Sequence, residues 1–122
     1  MQDYKKLKVW EKSRELIKMI YGITANFPKE EQYGLINQIR RASVSIAANI
    51  SEGCSRHSEN DFVRFLEIAL GSANEVECLL ILACDLGFTP KEELQHPLNH
   101  IIEIKKMLST LIKKIKTVNC KQ

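Results

Sequence analysis

Residues 33–53, YGLINQIRRASVSIAANISEG, decide the fold, because at the helical repeat they separate into two faces of opposite character. At about 100° per residue, Ile36, Ile39, Ser43, Ile46, Ala47 and Ile50 share one face, and Gln38, Arg41, Ser45, Asn49 and Glu52 share the other. The stretch therefore predicts an amphipathic helix with one buried side. That side is narrow in volume, since Ala42, Ser43, Ala47 and Ala48 extend little beyond Cβ, and small residues let a neighbouring helix approach closely. Gly53 is expected to stop the helix in the left-handed conformation.

Towards the N-terminus, Trp10, Ser13, Ile17, Ile20 and Thr24 make a second helical stripe, flanked by Val9, Leu16 and Ile23, so a helix is expected from about Leu7 to Asn26. Phe27-Pro28 ends it. Proline disfavours α geometry in the residue before it yet suits a first helical turn, so Pro28 can close one helix and open the next, with Glu30 and Glu31 at the positive end of the second dipole. Towards the C-terminus, the polar CSRHSEND stretch carries Ser58 and Asp61 as an N-cap pair for a third helix. Its core stripe reads Phe62, Phe65, Leu66, Ala69, Ala73, Val76, Leu80 and Ala83, and it ends at Gly87. Gly71 interrupts that helix at a cost of about 1 kcal/mol relative to alanine, which predicts a close helix approach there. Thr89-Pro90-Lys91-Glu92 starts a fourth helix, with Thr89 as N-cap and Glu92 as the box acid. Pro97 is expected to kink or restart it, after which Leu98, Ile101, Ile104, Leu108, Leu111, Ile112 and Ile115 form the last stripe and the tail beyond Thr117 frays.

With 122 residues, 44% of them hydrophobic, and only 5 Gly and 3 Pro, the chain reads as a single domain over residues 1–122 with its own core. The pattern is all-α, four antiparallel helices in an up-down bundle. The first twenty residues alternate charged and apolar positions, so neither a signal peptide nor a membrane span is indicated, and the cytoplasm is the expected compartment. Cys54, Cys78, Cys84 and Cys120 form no C-x-x-C pair and imply neither a disulfide framework nor a zinc site. Residues Val76 to Cys84 are apolar nearly all round, more than one bundle core requires, which predicts a homo-oligomer.

The run QIRRASVSIAANISEG at residues 38–53, preceded by GLINQ and followed by FVRFLEIALGSANE, resembles the 23S rRNA intervening-sequence protein family, also called simply four-helix-bundle proteins. DYKKLKVW at residues 3–10, the Phe27-Pro28 pair and LGF at residues 86–88 extend the resemblance over nearly the whole chain. Ala47 departs from it, standing where many relatives carry proline, and alanine makes the helix more regular. The resemblance implies a ring-like homopentamer of small up-down bundles. It also implies a distant similarity to the accessory proteins of diversity-generating retroelements, which bind nucleic acid and a reverse transcriptase. It implies no settled biochemical activity.

Catalytic spacings are absent: the sequence has no Gly-rich phosphate loop, no nucleophile elbow and no H-E-x-x-H. No enzyme activity, cofactor or metal is expected. His96 and His100 stand four apart but lack a third ligand and have Pro97 between them, and the Cys54, Ser55, His57, Ser58 loop has no recognisable acid or oxyanion arrangement. Arg40 and Arg41 could grip a phosphate in bidentate fashion, but an ion pair from Arg41 to Glu67 or Glu75, between helices or between subunits, is the preferred reading. The lysines point elsewhere. Residues 105–122 carry six lysines and no acid, and an up-down order brings Lys5, Lys6, Lys8, Arg56, His57, Arg64, Lys113, Lys114, Lys116 and Lys121 to one pole. Lysines at a helix C-terminus also answer the dipole. A ring of subunits would nevertheless multiply such a pole into a field for a polyanion. The expected function is therefore a non-enzymatic oligomer that holds structured RNA, with DNA as an alternative ligand, through Lys5, Lys6, Lys8, Arg56, Lys113, Lys114 and Lys116. The rival is an adaptor that binds protein partners and no nucleic acid.

Overall fold

The computed structural model describes residues 2–120, apart from the side chains of Val118, Asn119 and Cys120; Lys121 of the basic pole lies outside the described residues. Four helices make up the fold: α1 (Lys8–Thr24), α2 (Leu35–Cys54), α3 (Glu59–Asp85) and α4 (Lys91–Cys120). Short 3-10 turns at Tyr4–Lys6 and Lys29–Glu31 precede α1 and α2. No strand occurs among the described residues.

Each helix packs on its chain neighbours and α1 closes against α4, so the fold is a four-helix bundle with α1 and α3, and α2 and α4, facing across the core. The register is fixed by specific pairs. Ser45 of α2 meets Ser72 of α3 at 2.9 Å, and Lys105 and Lys116 of α4 meet Glu77 and Glu67 of α3 at 2.9 and 3.7 Å. Lys12 and Glu15 of α1 meet Glu103 and His100 of α4. In the α3–α4 and α1–α4 seams the residue numbers fall along one helix as they rise along the other.

The α2 face reads as the periodicity predicts: Ile36, Ile39, Ser43, Ile46, Ala47 and Ile50 are all buried, against Leu16, Ile20, Leu66, Val76, Leu80, Ile101, Ile104 and Leu108 from the other three helices. Buried hydroxyls are satisfied locally. Ser13, Thr24 and Ser43 donate to the carbonyls of Val9, Ile20 and Arg40 at 2.7–2.8 Å, removing the cost of an unpaired polar group. On α1 the buried line passes through Val9 and Leu16, and Trp10 and Ile17 are only half-buried, a small rotation from the expected stripe.

Gly87 ends α3 as expected, but Gly53 takes the role expected of Gly71. Gly53 lies inside α2 and does not take the left-handed conformation; Gly87 alone does, at φ 79°, where it ends α3. A Cβ built on Gly53 would stand 3.0 Å from Phe62 Cδ1, 3.1 Å from Phe65 Cβ and 3.3 Å from the Phe62 carbonyl oxygen. Gly53 is thus a point of close approach between α2 and α3. Gly71, the expected contact, has nothing within 4 Å and faces outward.

Helix starts differ by small steps. Pro28 opens only the 3-10 turn, and α2 begins seven residues later at Leu35, whose N–H donates to Glu31 Oε1 at 3.1 Å. Ser58 caps α3 as predicted, accepting from the Asp61 N–H at 3.1 Å. In α4 the helix begins at Lys91, one residue later than expected, so Glu93 and not Glu92 meets the Thr89 hydroxyl, at 3.4 Å. Pro97 is buried within α4, which runs on as one helix to Cys120, beyond the expected fraying point.

Candidate nucleic-acid interface

The chain start, the α2 end and the α3 start come together at one pole. The Gln2 N–H donates to the Cys54 carbonyl at 3.2 Å, and a pocket of about 180 Å³ is lined by Gln2, Cys54, Arg56, His57, Phe62 and Ile115, which adds the last third of α4. That volume is below the roughly 300–1,000 Å³ of small-molecule sites. Burial pushes the Cys54 thiol up from its ordinary value, the reverse of the depression that activates a cysteine nucleophile.

The seven residues expected to bind nucleic acid divide into three groups. Lys5, Lys6, Lys8, Lys113 and Lys114 are exposed and take part in no ion pair among the described residues. Lys116 is exposed but stands 3.7 Å from Glu67. Arg56 is half-buried and engaged locally: it pairs with Glu52 one turn back, lies 4.7 Å over the Phe65 ring, and has its Nε buried. Arg64 lies over the same ring at 4.6 Å and pairs with Asp61.

Two features were not read from the sequence. Asp3, Glu52, Glu59 and Asp61 share this pole, so its basic surplus is smaller than the lysine tally implies. Most of them are occupied locally: Asp3 accepts the Lys5 N–H at 3.1 Å, while Glu52 and Asp61 hold the two arginines. The second feature is where Lys105 and Lys106, two of the six lysines of residues 105–122, lie: beside a groove between α3 and α4, above the pole. The spacing of Lys106 and Lys113, two turns apart, is the signal that marks one continuous helix face.

The arginine pair separates. Arg40 reaches across to α1, donating from Nε to the Thr24 hydroxyl at 2.8 Å with its guanidinium 4.4 Å over the Tyr21 ring. Arg41 is exposed, and the expected ion pair to Glu67 or Glu75 does not form within the chain: Glu67 stands instead against Lys116. His96 and His100 stack with ring centroids 5.3 Å apart, and His100 faces Glu15 of α1 at 3.3 Å. No cluster of three or more metal-ligating side chains occurs among the described residues, and no described helix is long and apolar enough to cross a membrane.

An all-α four-helix bundle with a lysine-rich face on its last helix is the class that fold and surface define. The description of the 23S rRNA-intervening sequence protein family matches residues 5–110, and the chain belongs to that family. It is similar to a protein of unknown function from the S23 ribosomal protein family of Bacteroides thetaiotaomicron VPI-5482, whose crystal structure aligns with a TM-score of 0.80 and 33% identity over 86% of this chain and 98% of that one. No curated protein matches it.

Proposed function

We propose that this chain is a non-enzymatic, oligomeric helical bundle that holds structured nucleic acid, RNA in the first place, through a basic surface. The observation that carries the reading is the pattern of charge pairing. Glu52, Asp61, Glu67, Glu77 and Glu103 each stand against a cation, whereas Lys5, Lys6, Lys8, Lys113 and Lys114 stay exposed without a carboxylate. Such lysines release counterions when they meet phosphates, giving affinity that is steep in salt and weak in sequence preference.

Assembly is part of the same reading. The seam pairings fit an up-down-up-down order, which gathers the lysines at one end, and a cytoplasmic ring of five such subunits would multiply them. Ile68, Ile81 and Leu82 of α3, with Leu86 just after it, are exposed apolar side chains that favour contact between subunits. The same exposed residues support the second reading, an adaptor that binds protein partners only. Fluorescence anisotropy of labelled RNA and DNA with the wild-type protein over a range of salt separates the two. Binding that weakens steeply with salt is expected; no affinity at low salt would leave the adaptor.

A further inference from the structure

The face of α4 above the pole is more sharply organised than the pole itself. Between α3 and α4 lies an open surface groove lined by Leu70, Asn74, Lys105, Lys106, Ser109 and Thr110. Its polar groups are matched to a phosphate: two ammonium groups, two hydroxyls and one carboxamide, with Leu70 as the apolar wall. Lys105 is held at the rim by Glu77 at 2.9 Å, a fixed position for a long side chain. Lys106 is exposed and makes no ion pair; Glu103, three residues before it, is bonded to Lys12 of α1 instead. Glu103 and Glu77 are thus each bonded to a lysine other than Lys106. Lys113 lies on the same face two turns on, about 10 Å away. Thr110 lies between them.

From this we infer that the α3–α4 groove is a phosphate seat for RNA, in which Lys106 supplies the charge and Asn74, Ser109 and Thr110 the hydrogen bonds, with the strand running along α4 towards Lys113. The inference rests on the RNA reading and adds to it a lateral site that the pole does not contain. A guanidinium fork is absent from the seat, so it fixes register by charge and short donors and reads no base.

The test titrates a fluorescein-labelled RNA stem-loop into the wild type and the variants Lys106→Ala, Asn74→Ala and Lys91→Ala, at several salt concentrations, with circular dichroism as a check on folding. Lys106→Ala should weaken binding several-fold and lower the slope of log affinity against log salt by about 1, the share of one phosphate contact. Asn74→Ala should weaken binding and leave that slope unchanged, because it removes a donor and no charge. Lys91→Ala, the same charge loss outside the groove, should alter neither. Wild-type affinity for Lys106→Ala and Asn74→Ala, in a protein that does bind the stem-loop, would overturn the groove and leave the RNA reading standing. A wild type that binds no RNA would overturn both.

Discussion

At the scale of single residues, space around the backbone decides what a substitution costs. Gly53 and Gly71 are both helical, so propensity alone favours alanine at either by about 1 kcal/mol. Only Gly53 has a neighbour in the way. Two of the three atoms its Cβ would meet, Phe62 O and Phe65 Cβ, belong to or adjoin the α3 backbone and cannot swing aside. Gly53→Ala should therefore destabilise by about 1–3 kcal/mol, the range of overpacking, while Gly71→Ala should be neutral or gain up to about 1 kcal/mol. Urea denaturation of the two variants beside the wild type checks the contrast, and equal shifts would refute it. The arginines differ for a related reason. Arg40→Gln removes a hydrogen bond and a cation–π contact between α1 and α2 and should cost about 1 kcal/mol, whereas Arg41→Gln removes nothing within the chain and should leave the urea midpoint unmoved.

At the scale of helices, the legible part of the sequence was what periodicity carries. The α2 face and the Ser58 cap follow from side-chain spacing and local hydrogen bonding, and both stand as read. The rest depended on relations between helices. Nothing local to Gly53 or Gly71 tells which one faces a neighbour, and the pairing of Lys105 with Glu77 across 28 positions has no local signature. The basic pole is weaker than its lysines suggest for a different reason: Glu52 and Asp61 answer Arg56 and Arg64 within one turn of chain, and only Glu67, which meets Lys116, comes from another helix. The α1–α4 seam gives a pH prediction. Its Glu103 carboxyl is held below the ordinary carboxylate value, chiefly by the hydrogen bond from Lys12 and then by that lysine's charge. A lowered folded pKa stabilises above the unfolded value and is lost as pH falls through the folded one. The stability gap between wild type and Glu103→Gln should hold at neutral pH and close below about pH 4; a gap that widened in acid would contradict the assignment.

At the scale of the whole molecule, the assembly and the nucleic-acid binding proposed above draw on different side chains, so each can be tested alone. Ile68, Ile81 and Leu82 of α3, with Leu86 just after it, are exposed, and none of them lines the groove that holds Lys105 and Lys106. Leu82→Asp places a charge in that apolar surface and should dissociate an oligomer built on it while leaving helicity intact. Sedimentation of the wild type as a 14.0 kDa monomer at high concentration would remove the premise. The complementary change is the triple replacement Lys113→Glu, Lys114→Glu and Lys116→Glu. All three side chains are exposed, and only Lys116 contacts a carboxylate, so the bundle loses a single weak surface pair. The field changes far more, since three attractive charges become three repulsive ones beside a polyanion. The triple variant should keep its helicity and sedimentation and lose RNA affinity altogether, and the Leu82→Asp monomer should bind RNA with unchanged local contacts but lower apparent affinity, because multivalency is gone. RNA binding that survived the triple reversal at low salt would show that the lysines at the end of α4 do not make the contact.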